Sequence, residues 1–160
     1  STAPSTVSPP CASCSSSNGG NVWCADGSGG APSAGSNFLI YWDADDERET
    51  LNGTSVGNTR VAPNTSGTAS NNGSKSTPTL TADLLGDFRE ELILRESSNE
   101  ALRLYTTTDV ASRRIYTLMH DPHYRAQVSF EQSTYNQPPH TSFHIGPGMA
   151  DPPTPDIYVR

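Results

Sequence analysis

Three acidic residues close together in the chain, Asp83, Asp87 and Glu90, offer the kind of oxygen ligands that a hard cation such as calcium takes. In the run from Phe88 to Arg95, strand alternation puts Phe88, Glu90, Leu92 and Leu94 on one face and Arg89, Glu91, Ile93 and Arg95 on the other. Glu90 therefore points with an apolar set. A carboxylate held there must be paired or metal-bound, and a loop through Asp83 and Asp87 can bring two more oxygens to one ion. The competing reading is cross-strand pairing of Glu90 and Glu91 with Arg89, Arg103 or Arg125, each exposed pair contributing about 0.5 kcal/mol. A second acidic group, Asp43, Asp45, Asp46 and Glu47, has the alternating start of an EF-hand loop but lacks its glycine and terminal glutamate. It reads as a solvated charged turn.

Other chemistries find less support. The four histidines, His120, His123, His140 and His144, follow no spacing that selects a metal or acid/base cluster, and no GxSxG, HExxH or phosphate-binding glycine loop is present. Cys11 and Cys14 form a CxxC without a second pair or nearby histidine to complete a zinc site. With Cys24 the thiols number three, so one lacks an internal partner, and a disulfide within this segment or to a portion of the protein beyond this sequence is expected. A net charge of -7 and a pI near 4.9 argue against nucleic acid as a partner. No run of 18 apolar residues is available to cross a membrane, and the Ser/Thr/Pro-rich start lacks the regions of a signal peptide.

The elements that position these groups are short. Apolar residues make up 32% of the chain, and Gly and Pro number 13 each, which predicts a small core, an all-β or loop-rich fold and little helix. Residues 1–36 form a Ser/Gly/Pro-rich arm or linker that cannot bury enough surface to offset its own ordering. Phe38 to Trp42 reads as a strand entering the acidic turn, and residues 52–78 as a long polar loop, the place to look first for function. Phe88 to Arg95, Leu102 to Thr107, Arg113 to Leu118 and Arg125 to Glu131 read as four strands joined by short turns, a meander like one propeller blade. A last short strand is expected over Ser142 to Ile145, ahead of a Pro-rich tail. Asn52, Asn64 and Asn72 are formal glycosylation acceptors.

The stretches "SNFLIYWDADDERETLNG", "SNNGSKSTPTLTADLLGDFREELILR", "LRLYTTT", "RRIYTLMHDPHYR" and "TYNQPPHTSFHIG" together resemble the family 11 rhamnogalacturonan lyases. The resemblance runs over about residues 36–158 and leaves residues 1–35 unmatched. It implies that residues 37–158 are the last blades of an eight-bladed β-propeller, secreted by a bacterium. The implied activity is cleavage of rhamnose-galacturonate bonds in pectic rhamnogalacturonan I by β-elimination, with calcium as cofactor. In the family an Asn-Gly-Thr-Lys segment contacts the galacturonate and supplies the base. Asn72, Gly73, Ser74 and Lys75 match it, with a Ser-for-Thr change that keeps the hydroxyl, and Lys75 is the only lysine of the chain. A family tyrosine that faces the uronate is matched by Tyr135. Gln132 stands where an asparagine commonly contacts sugar. The arginine that the family sets against the substrate carboxylate lies upstream of everything aligned.

Two further functions stay open on the sequence. One is an extracellular structural or filament-forming protein that reuses these blades, with the missing blades or other copies of the chain as partners. The other is a noncatalytic saccharide-binding module using Tyr135, Tyr105 and Trp42 as sugar platforms.

Overall fold

The structure is a computed structural model that describes residues 38–57, 59–73, 75–133, 136–152 and 154–156. Expectations that fall on the amino-terminal arm, its cysteines, Ser74 or Tyr135 lie outside the described residues.

Two antiparallel sheets carry the fold. The first is a meander of β1 (Phe38–Ile40), β2 (Glu49–Asn52) and β3 (Ser55–Gly57), with Phe38 opposite Leu51 and Leu51 opposite Val56. Asn52 pairs with Ser55 around a two-residue turn that starts at Gly53, whose φ of 65° suits a residue without a Cβ. In the second sheet β6 (Glu91–Glu96) lies between β7 (Leu102–Tyr105) on one edge and two short strands on the other. Those two, β4 (Thr68–Ala69) and β5 (Leu80–Ala82), lie end to end along β6, because Arg95 pairs with Ala69 and Ile93 with Leu80. The chain leaves that edge after β4 and returns at Thr79, whose N–H donates to Ile93 O at 3.0 Å. The turn bearing Asn72 and Lys75 projects from this gap.

The apolar face expected for Phe88, Leu92 and Leu94 is buried, with Glu90 among them. Leu92 and Leu94 pack with Phe38, Ile40, Trp42, Leu51 and Val56 into one core. The opposite face departs from simple alternation, since Glu91 is buried too. The regular strand also starts later than Phe88, whose φ of 69° breaks the extended run.

Three expected strands are absent among the described residues. Arg113 to Leu118 and Ser142 to Ile145 form no ladder, yet Ile115, Leu118 and Ile145 plug a second core with Tyr41, Phe88 and Tyr124. Arg125 to Glu131 is instead the end of a helix, α1 (Pro122–Phe130), preceded by a 3-10 turn over Leu118–His120. The inward side chains Tyr124, Val128 and Glu131 recur at helical spacing, which a strand reading of so short a segment overlooks. Asp121 starts the helix by accepting from His123 N–H at 2.9 Å, with Pro122 in the first turn where a missing N–H costs nothing. No helix of the described residues is long and apolar enough to cross a membrane.

Candidate functional site

The turn between β4 and β5 is built on backbone and amide groups. Asn71 N–H donates to Thr77 O at 2.9 Å, and Ser76 N–H to Asn72 O at 2.7 Å. The Asn72 side chain accepts from the Lys75 N–H at 3.2 Å. This self-closing arrangement, with Ser76 at a φ of 53°, leaves Lys75 exposed at the tip. Gly53 N–H reaches across from the first sheet to Ser76 O at 3.0 Å, so the turn is tied to both sheets. Gly73 is exposed, and a Cβ added there would meet nothing within 4 Å.

The segment after α1 lies against this turn. Gln132 Nε2 donates to Pro78 O at 2.9 Å, and Gln132 Oε1 accepts from Asn136 at 3.0 Å and from Asn71 at a longer 3.4 Å. Asn71 is itself fixed by Thr79 Oγ1, which donates to its Oδ1 at 2.9 Å. Gln132 is thus placed beside the turn that bears Asn72, Gly73 and Lys75, and Tyr135 falls between the described neighbours Ser133 and Asn136. Asn71, Thr79 and Asn136 belong to this cluster although nothing in the sequence singled them out. Only a pairing across 61 residues reveals them.

The acidic residues expected to share a cation do not meet at one point. Asp83 Oδ1 accepts from the amides of Gly86 and Asp87 at 2.7 and 3.0 Å, and its Oδ2 from Leu118 N–H at 2.7 Å. Asp87 pairs with Arg89. Glu90 accepts from Tyr124 Oη at 2.6 Å and from Tyr41 N–H at 2.9 Å, with Arg48 Nη2 3.9 Å away. Burial still raises the Glu90 pKa, against the Arg48 charge and the hydrogen bonds. The cross-strand alternative fails as well, since Arg103 pairs with Glu96, and Glu91 accepts from the amides of Leu84 and Leu85.

Among the described residues, one group of carboxylate ligand atoms comes within 4.8 Å of one another: Asp43, Asp45 and Glu49. The turn read as a solvated charge run is partly buried, with Asp43 3% and Glu49 2% exposed. Glu49 Oε2 accepts from Trp42 N–H at 2.7 Å and Asp43 Oδ1 from Asp45 N–H at 3.2 Å. Burial, assisted by Asp43 and Asp45, pushes Glu49 up to about 8. Three convergent oxygens, two of them buried in like-charged company, fit a hard cation by chemistry and placement. The missed signal was Glu49, which alternation from Leu51 and Phe38 turns inward. Trp42 is 1% exposed and Tyr105 packs on the first core, which removes Trp42 as a sugar platform.

The family model described as rhamnogalacturonan lyase family 11, C-terminal domain, matches residues 11–155. The match takes in residues 11–35, which the motif resemblance left out. The chain is 47% identical over 150 residues to the rhamnogalacturonan endolyase YesW of Bacillus subtilis strain 168, covering 88% of this chain and 24% of that protein. It is 46% identical to the rhamnogalacturonan exolyase YesX of the same strain, over 81% of this chain and 23% of the relative. The crystal structure of YesW superposes with a TM-score of 0.77 at 46% identity, over 88% of this chain and 26% of that one. A Bacillus licheniformis rhamnogalacturonan lyase gives 0.78 at 42%, with the same coverage. The chain spans about a quarter of the length of the relatives it matches. The chain belongs to rhamnogalacturonan lyase family 11 and carries its C-terminal domain.

Proposed function

We propose that this module is the carboxy-terminal part of a secreted rhamnogalacturonan lyase that cleaves rhamnose-galacturonate bonds by β-elimination, joined to further propeller blades that complete the cleft. The observation that carries the reading is the contact of Gln132 with Asn71, which brings the two motif segments of the family into one place. Loss of the C5 proton of galacturonate is the difficult step, because the neighbouring carboxylate makes that proton poorly acidic. A positioned base contributes when the charge beside it is neutralised. Lys75 takes the C5 proton. The C5–H electrons form the C4–C5 double bond, and the C4–O bond breaks with its electrons on the departing rhamnose oxygen, which then takes a proton. Asn72, Gly73, Ser74 and Gln132 hold the sugar, and Tyr135 faces the uronate.

Calcium belongs to the proposal, held in this module by Asp43, Asp45 and Glu49 rather than by Asp83, Asp87 and Glu90. When bound it supplies positive charge and ties the acidic turn between β1 and β2. Exposure of Leu102 and Leu104 on the edge strand β7 supports packing against further blades. The test takes the lyase that contains this module together with its remaining blades, gives it rhamnogalacturonan I and calcium, and follows absorbance of the unsaturated uronate. Lys75→Ala should remove that absorbance. A well-folded parent that leaves the polymer intact ends the lyase reading.

A further inference from the structure

Glu131, directly before Gln132, is a buried acid that the elimination itself does not use. It is 1% exposed. Its Oε1 accepts from Thr81 N–H at 2.7 Å and from Thr81 Oγ1 at 3.2 Å, bolting the end of α1 to β5, while its Oε2 is buried with no hydrogen-bond partner. No described basic side chain pairs with it. The neighbouring charge that acts on it is that of Glu90 ahead of β6, while Arg125 of α1 is turned to Met119 O and Arg95 of β6 to Ser70 O and Asn99. An ionised carboxylate in this place has two donors, no counter-ion and an unsolvated oxygen, which is the costly way to bury an acid. A neutral carboxyl keeps both Thr81 bonds without that cost.

We propose that Glu131 is a positioning residue of the lyase site, acting as a neutral carboxylic acid that holds Gln132, and through it Asn136, against the turn that bears Asn71 and Thr77. The inference rests on the lyase reading for its consequence in catalysis, but its structural half stands on the bonds to Thr81. Thr81 lies two residues beyond Thr79, which fixes Asn71, so one acid ties Gln132 to the strand that holds its partner Asn71. Burial, with the charge of Glu90 added to it, pushes Glu131 up to about 9. Folding therefore takes up a proton. Stability from this group is complete below the ordinary carboxyl range near 4.5 and is lost as pH rises toward about 9.

Glu131→Gln keeps Oε1 and puts an uncharged group where the acid was, whereas Glu131→Ala removes the link. In the whole lyase Glu131→Gln should keep kcat and KM within about twofold of the parent and flatten the decline of melting temperature toward alkaline pH. Glu131→Ala should lower kcat by about 10- to 100-fold, since a small misplacement near the chemistry has that effect. Equal losses in both variants, or full activity in Glu131→Ala, would overturn the assignment. Two readouts need no activity. A protonated-carboxyl infrared band should appear in the parent-minus-Glu131→Gln difference spectrum at neutral pH, where Glu49 contributes equally to both proteins and cancels, and a crystal structure of Glu131→Ala should show Gln132 withdrawn from Asn71. If the parent cleaves nothing, the lyase reading fails separately, and the band and the crystal structure still decide the role of Glu131. An absent band overturns it.

Discussion

Tyr124 donates its phenol hydrogen to Glu90 Oε1 at 2.6 Å and accepts on the same oxygen from Asp83 N–H at 3.0 Å. One hydroxyl thereby satisfies a buried carboxylate and a buried amide from two different segments. Burial and the adjacent Glu90 raise the tyrosine pKa, which keeps the hydroxyl protonated and able to donate. Tyr124→Phe should destabilise the module by about 1–3 kcal/mol for each group left unpartnered. Urea unfolding measures it, and a change near zero would mean that water replaces the hydroxyl.

Much of this arrangement was legible in the chain, though unevenly. The strand Glu91–Glu96 and the inward set of Phe88, Glu90, Leu92 and Leu94 follow from alternation, because one buried face leaves a period of two in the residues. The burial of Glu90 was readable, but its partners were not: Tyr41 and Tyr124 reach it from segments 49 and 34 residues away. The helix Pro122–Phe130 was missed although Asp121 and Pro122 form a start signal, since nine residues with two inward hydrophobics give little periodicity. The motif segments around Asn72 and Gln132 were legible as family resemblance. Their adjacency depends on β4 and β5 sharing one edge of β6, which no local pattern encodes.

Asp121 joins the start of α1 to the tail through two oxygens, one on His123 N–H at 2.9 Å and the other on Ser142 N–H at 2.5 Å. Burial opposes ionisation here, but these amides outweigh it and hold the pKa below the ordinary carboxylate value. A depressed folded pKa gives stability that is present above the unfolded value of 3.8 and lost as pH falls through the folded one. Asp121→Asn keeps the cap and loses one acceptor, so it should lower stability by about 1–3 kcal/mol at neutral pH. The deficit should shrink in acid. A constant deficit from neutral to acid pH would remove the electrostatic part of this account.

Calcium occupancy separates the two acidic groups. Asp43→Asn should reduce the number of calcium ions bound per molecule and reduce the loss of melting temperature on chelation, because it withdraws a ligand oxygen from the turn with Asp45 and Glu49. Glu90→Gln should leave the stoichiometry unchanged, since both Glu90 oxygens already accept from Tyr124 and Tyr41. Calorimetric titration of the metal-stripped protein counts the sites. The opposite pattern would restore Asp83, Asp87 and Glu90 as the ligand set.

Lys75→Arg isolates proton transfer from charge. Arginine preserves the positive tip of the turn but stays protonated throughout the working range, so it cannot take the C5 proton. In the whole lyase the variant should lose about 10²- to 10⁴-fold in kcat with much less change in KM. Retention of kcat would reassign the lysine to a solvated loop position and leave the base to be sought elsewhere.

Gly73 tests the surface itself. A Cβ added there meets nothing within 4 Å beyond the adjacent residues, and its backbone lies outside the left-handed region that favours glycine. Packing therefore does not require glycine at this position. If galacturonate lies over the turn, Gly73→Leu fills space that the sugar needs and should lower kcat/KM by about 10- to 200-fold, the range set by a misfit of about 1–3 kcal/mol. Melting temperature should stay near that of the parent, and Gly73→Ala should fall between the two in activity. Unchanged kinetics for Gly73→Leu would move the substrate away from the Asn72–Lys75 turn, and with it the base.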